Sequence, residues 1–259
     1  MSIFQALVYG IVQGVTEFLP VSSTAHLELI PWIFGWQQPG NVFDVALHFG
    51  TAIAVIVFFF NDWVRLITAG FSKPKSQEGK LFWFILIATL PGAVAGVLLD
   101  KYMNGFSPLL TGILLIFMGF VLYFCDRTGK SGIHLENMGL NRSVLIGIAQ
   151  VLAIVPGVSR SGITMSVGRA AGVDRASIAK FTFLLSTPII LGDALFHAKE
   201  LPGVPIDILP FVVAVATAAI VGMLAIRFLL NYLKTRSFLA FAVYRLLFGT
   251  FVIILFFVR

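Results

Sequence analysis

Gln13-Gly14-Val15-Thr16-Glu17-Phe18-Leu19-Pro20-Val21-Ser22-Ser23-Thr24-Ala25-His26 interrupts an apolar stretch that runs from about residue 3 to residue 34. A helix cannot pass Pro20 undisturbed, because proline lacks an N–H and its ring clashes with the preceding turn. The piece on either side is too short to cross with ease a hydrocarbon core about 30 Å thick. A second stretch, about 141–170, breaks the same way at Pro156-Gly157-Val158-Ser159-Arg160-Ser161-Gly162. Broken helices at membrane depth survive only where protein buries them or where they line a cavity. Both stretches are therefore expected to be re-entrant helical hairpins.

The rest of the chain supports a lipid setting. Of 259 residues, 58% are hydrophobic and 12% charged, and the mean hydropathy is +0.97. A soluble domain carries about 25% charged residues. The formal charge of +6 does not indicate a nucleic-acid binder, because the basic residues lie in short loops and not in a patch with stacking aromatics. Six runs are long enough to span, at about 42–60, 81–99, 107–125, 178–197, 208–230 and 238–258. The expected fold is an all-α polytopic membrane protein of about six transmembrane helices plus two re-entrant hairpins. Cys125 cannot form an internal disulfide and reads as a packed side chain. No Lys or Arg precedes Arg65, so a signal peptide is not expected and the apolar start is read as mature protein.

The two halves echo each other within one membrane domain. Gly10-Ile11-Val12-Gln13 matches Gly147-Ile148-Ala149-Gln150, and Lys80-Leu81-Phe82-Trp83-Phe84 resembles Lys180-Phe181-Thr182-Phe183-Leu184. Each half, 1–125 and 141–259, would be one hairpin plus three spans. An odd number of crossings inverts the second copy. Segments 61–80, 126–143, 169–180 and 227–245 hold fourteen of the 18 Lys and Arg, whereas Lys101 and Lys199 stand alone in theirs. The positive-inside rule places the four rich segments in the cytoplasm. The first hairpin then enters from outside, the second from inside, and their tips meet near the midplane.

Chemistry concentrates at the two breaks. Gln13 and Glu17 share a helix face. A carboxylate deep in a membrane helix costs about 2.5–3.5 kcal/mol, so Glu17 is read as functional and not as an interhelical polar pair. Ser22 or Ser23 can cap the helix that follows Pro20, leaving backbone N–H groups and the positive helix end facing the gap. His26 is a candidate acid, base or nucleophile, or a packed histidine. Arg160, between Ser159 and Ser161, offers a planar fork suited to phosphate, and Thr164 could add a hydroxyl on the same face. Together these groups describe a phosphate-ester site better than a cation site. Outside the breaks, His48 near Asp44 could line the site. Asp193 and His197 could bind metal or end a solvated helix, Glu28 could take part, and Lys180 is expected to snorkel.

At these motifs the chain resembles the undecaprenyl-diphosphate phosphatase, or bacitracin-resistance, family. Glu17 through His26 matches the family's first signature and Pro156 through Gly162 its second. Phe43-Asp44-Val45 through Gly50-Thr51, and Phe183-Leu184-Leu185-Ser186-Thr187-Pro188, also resemble family segments, so the similarity covers essentially the whole chain. The resemblance implies hydrolysis of the lipid-carrier diphosphate to the monophosphate and inorganic phosphate, which recycles the carrier for peptidoglycan and other envelope polymers. It implies a bacterial plasma-membrane enzyme with an outward-facing site, dependent on a divalent cation, magnesium or calcium. Carried over by match, the site residues are Glu17, Ser22, Ser23, His26, Ser159, Arg160, Ser161 and Thr164. Some members carry a glutamate where this chain has Gln13, which leaves Glu17 as the main protein ligand for a metal.

The long prenyl tail is expected to lie between helices in lipid, with the diphosphate at the hairpin tips. Ser22 or Ser23 activated by His26, His26 itself, and water activated by His26 or Glu17 all fit as nucleophile, a serine–histidine scheme being preferred. Inverted repeats and a midplane site also suit a flippase of polyprenyl phosphate lipids, a transporter in place of an enzyme.

Overall fold

The computed structural model describes residues 1–38, 40–99, 107–197 and 207–259. Eleven helices follow in order: α1 (Ile3–Phe18), α2 (Ser23–Phe34), α3 (Asn41–Phe58), α4 (Phe60–Ser72), α5 (Gln77–Leu99), α6 (Pro108–Thr128), α7 (Leu140–Ala149), α8 (Arg160–Ala170), α9 (Arg175–His197), α10 (Ile208–Tyr232) and α11 (Leu239–Val258). A 3₁₀ segment, Gln150–Ile154, continues α7. The fold is all-α and polytopic. Five described helices, α5, α6, α9, α10 and α11, are long and apolar enough to cross a membrane, and α3 with α4, bent by 69° at the break, adds a sixth if the pair is counted as one span. Lys101, Lys199 and the segments that hold them lie outside the described residues.

Both expected hairpins are present. α1 and α2 meet at Leu19–Ser22, and α7 with its 3₁₀ extension meets α8 at Val155–Ser159. Small residues let these hairpins approach long helices closely, the usual device where lipid supplies no hydrophobic drive. Gly10 of α1 faces Ala214 and Thr217 of α10, and Gly14 faces Ala218, Val221 and Gly222. Gly147 of α7 lies against the backbone of Ala88 in α5, where an added Cβ would come within 2.3 Å. α1 thus packs along α10 as α7 packs along α5; α3 packs on α10 as α9 does on α5; and α3 meets α9 as α6 meets α11. Phe18, Phe59 and Phe183 join in the main apolar core, and Phe18 follows Glu17 in the chain.

Three basic segments differ from the sequence reading. Residues 60–72, expected as loop, form α4, because Phe60, Val64, Ile67 and Phe71 make an exposed apolar stripe while Leu66, Ala69 and Gly70 pack inward. Arg169, counted as a loop residue, is fully buried at the end of α8. It donates to Asp126 Oδ1 at 2.9 Å, to Val173 O at 2.6 Å and to Gly129 O at 2.7 Å. Asp126 also accepts from Arg175 Nε at 2.7 Å and from the Phe238 amide at 3.0 Å, so one carboxylate ties the ends of α6 and α8 to the start of α11. Arg245, also counted as loop, lies inside α11 and is fully buried. Lys180 pairs with Asp62 at 2.8 Å, where snorkelling alone was expected.

Candidate active site

The two tips share one backbone device. Ser22 (φ 76°) and Ser159 (φ 74°) are the non-glycine residues with positive φ among the described residues. That conformation costs about 1–3 kcal/mol and clusters at functional sites. Each serine is the N-cap of the helix after its break. Ser22 Oγ accepts from the Ala25 amide at 3.4 Å, and Ser159 Oγ accepts from the Gly162 amide at 3.1 Å. The left-handed caps turn α2 and α8 so that their N-termini open onto the junction, where first-turn amides have no intrahelical acceptor.

The tips touch. Ser161 Oγ donates to Leu19 O at 3.0 Å across the junction. Arg245 donates to Pro20 O at 3.2 Å on the first tip and to Gly157 O at 2.5 Å and Val158 O at 3.2 Å on the second. A buried guanidinium thereby satisfies carbonyls that the broken helices leave open, which membrane-depth backbone requires.

Glu17 is the centre of the polar cluster, with its side chain 5% exposed. Its Oε2 accepts from Ser23 Oγ at 2.8 Å and from Gln13 Nε2 at 3.2 Å. Its Oε1 lies 3.7 Å from Arg160 Nη1, an ion pair too long to be a hydrogen bond. Arg160 Nη1 is buried and has no hydrogen-bond acceptor among the described residues. A buried, unsatisfied guanidinium N–H opposite a carboxylate–serine pair is a donor waiting for an anion. Gln13 Nε2 also approaches His48 Nδ1 at 3.4 Å, and His48 Nδ1 lies 4.0 Å from Asp193 Oδ2. His48 therefore joins the site through Gln13, and Asp193 turns to His48; the His197 side chain lies outside the described residues.

Other predicted residues are engaged elsewhere. Ser159 and Ser161 hydroxyls contact each other at 3.1 Å, and Thr164 Oγ1 donates to Arg160 O at 2.8 Å and accepts from Thr182 at 3.1 Å. These three hydroxyls shape the second tip. His26 does not reach a serine hydroxyl. Its Nδ1 lies 2.7 Å from the Ser22 carbonyl and its Nε2 lies 2.6 Å from Tyr244 Oη, whereas Ser23 Oγ donates to Glu17. Glu28 is half-buried and within electrostatic reach of Asp44. Sequence reasoning missed Tyr244 and Arg245. Arg245 carried a usable signal, since a cation seven residues into a span is a site by default.

Among the described residues, no three His, Cys, Asp or Glu side chains converge for a metal. An all-protein cage is thus absent there, but a hard cation shared with substrate phosphates needs only one or two carboxylates. Glu17 meets that requirement, and the neighbouring Gln13 Oε1 is a buried oxygen without a partner among the described residues. The donor set fits a divalent ion that arrives with a diphosphate.

The chain is similar to known proteins over essentially its whole length. Undecaprenyl-diphosphatase of Moorella thermoacetica is 48% identical over 261 residues, covering 100% of both chains. Undecaprenyl-diphosphatases of Desulforudis audaxviator and Pelotomaculum thermopropionicum are 50% and 48% identical over 258 residues, covering 98% of this chain and 98% and 97% of theirs. The sequence pattern of the family described as Bacitracin resistance protein BacA matches residues 6–251, and the chain belongs to that family.

Proposed function

We propose that this protein hydrolyses undecaprenyl diphosphate to undecaprenyl phosphate and inorganic phosphate, recycling the lipid carrier and so conferring bacitracin resistance. The observation that carries the mechanism is Arg160 Nη1, buried without a hydrogen-bond acceptor among the described residues and 3.7 Å from Glu17, which accepts from Ser23. Arg160 and the first-turn amides of α2 and α8 hold the phosphate oxygens, and charge stabilisation with positioning dominates phosphoryl transfer. Ser23 Oγ already donates to Glu17, so Glu17 takes its proton as Ser23 attacks the terminal phosphorus and undecaprenyl phosphate leaves as the anion; water, giving a proton to His26, then attacks the phosphoserine, and Glu17 returns its proton to the Ser23 oxygen as inorganic phosphate departs. Gln13 orients Glu17. A magnesium or calcium ion held by Glu17 and Gln13 Oε1 would supply further charge neutralisation when bound.

The orientation belongs to the same proposal. With Arg169 and Arg245 set aside as buried, twelve of the fourteen basic residues remain in the four rich segments, so those segments face the cytoplasm of a bacterial plasma membrane. The site then opens outward. An inverted repeat is supported by the packing: exchanging α1 for α7, α3 for α9, α5 for α10 and α6 for α11 returns the same four kinds of contact. A cysteine placed near Ser76 is expected to resist impermeant reagents added outside; its outer counterpart, Pro202, lies outside the described residues.

The deciding experiment is phosphate release from prenyl diphosphates by purified protein in detergent, with and without chelator. Detergent has no two sides, so a pure flippase releases nothing. EDTA should stop turnover and magnesium or calcium restore it. Full activity after exhaustive chelation would remove the metal from the scheme.

A further inference from the structure

His26 is held at both ring nitrogens by protein. The Ser22 carbonyl, 2.7 Å from Nδ1, can only accept, so Nδ1 carries a proton. Nε2 of the neutral ring then accepts from the Tyr244 phenol at 2.6 Å. The imidazole also stacks on Phe248, with centroids 4.6 Å apart and planes at 10°, and lies parallel to the Tyr244 ring. Tyr244 and Phe248 are four residues apart on α11, so one helix face makes both contacts. His26 is 6% exposed, whereas Tyr244 is 42% exposed.

We infer that Tyr244 is a positioning residue: with the Nδ1–H tautomer set by the Ser22 carbonyl, its hydroxyl holds the proton-accepting Nε2 of His26 at the seam between α2 and α11. The choice of tyrosine has a chemical reason. A phenol donates to neutral Nε2 and can turn to accept from it once the ring is protonated. It therefore holds the ring through a proton transfer, which a carbonyl or an amide N–H does not. Phe248 supplies the flat surface that keeps the ring plane fixed in both states. The inference rests on the reading of His26 as a residue of the phosphatase site.

Tyr244→Phe removes the hydroxyl and keeps the ring. Two readouts are needed. The first is steady-state turnover of a prenyl diphosphate in detergent. The second is acylation of His26 by diethyl pyrocarbonate, followed by mass spectrometry of the peptide that contains it, which requires no activity. Removing an outer partner of a functional histidine costs about 10–100-fold, so kcat should fall by about that factor while KM stays within about twofold. Acylation of His26 should accelerate several-fold, because Nε2 has lost its cap. Unchanged turnover together with unchanged acylation overturns the proposal. Lost turnover with unchanged acylation also overturns it, because a general packing role would give that result. Full activity of a His26→Gln variant would instead sink the role of His26 itself, while the acylation rate in Tyr244→Phe would still report whether the clamp exists.

Discussion

The hairpins α1–α2 and α7–α8 use one backbone for two kinds of chemistry. Both break at a proline, both cap the returning helix with a serine at positive φ, and both aim that helix's N-terminus at the junction. In the first tip, among the described residues, Ser23 donates to Glu17 and Gln13 donates to Glu17 and approaches His48. The second tip commits its hydroxyls to the cap, to Leu19 O across the junction and to Thr182, and leaves Arg160 Nη1 without an acceptor among the described residues. The difference teaches that a serine in a signature motif is not equivalent to a reacting serine. In the proposed mechanism one hairpin performs the attack, and the other anchors the anion.

Substitutions at each tip can break this division. Arg160→Ala should have the largest effect, a loss of about 10³-fold or more in kcat/KM, above the 10²–10³ typical of one neutral oxyanion donor. Arg160→Lys should rescue poorly, since an ammonium lacks the fork. Near-normal phosphate release by the alanine variant would remove Arg160 from the site.

Glu17→Gln comes next, with a loss of about 10²-fold or more. Gln13→Glu should keep substantial activity, because a carboxylate can still accept a bond, and Gln13→Ala should lose only part. The double variant Gln13→Glu/Glu17→Gln sharpens the point. If it matches the parent at saturating magnesium, the carboxylate's position is unimportant and Glu17 is not the central base or ligand.

The serines offer the most direct contrast. Ser23→Ala should lower kcat by about 10²-fold with little change in melting temperature, since Ser23 caps nothing. Ser159→Ala should do the reverse: removal of an N-cap costs about 1 kcal/mol of stability, with turnover changed only a few-fold. Equal kinetic losses in both variants would show that the tips are not divided as described.

The smallest effect is expected at Thr164. Thr164→Val deletes its bonds to Arg160 O and Thr182, about 1 kcal/mol of stability, and turnover should stay within about threefold. A collapse of turnover without a drop in melting temperature would mean that the hydroxyl meets phosphate, as its position in the motif first suggested.

The sequence carried the spans, the two breaks and the cluster around Glu17 and Arg160, because each leaves a local mark: an apolar run, a proline, a charge where charge is costly. What it did not carry is partnership over distance. His26 meets Tyr244 across 218 positions, and nothing in the periodicity of α2 or α11 announces that contact. The helix α4 was hidden by its charges, Asp62 and Arg65, which read as loop although the apolar residues around them, Phe60, Val64, Ile67 and Phe71, recur at helical spacing. Arg245 was hidden by its neighbours, since Lys234 and Arg236 a few residues earlier made it look like the tail of a basic loop.

Arg245 also imposes an order on biosynthesis. It sits in the last helix, yet it satisfies carbonyls of Pro20, laid down 225 residues earlier, and of Gly157 and Val158. While the ribosome is still making α10, both tips hold open carbonyls and the anion-binding amides lack a fixed frame. Only the arrival of α11 closes them. A nascent chain therefore completes the junction only once α11 has joined it, and a truncation anywhere before α11 should yield an inserted protein with no assembled site.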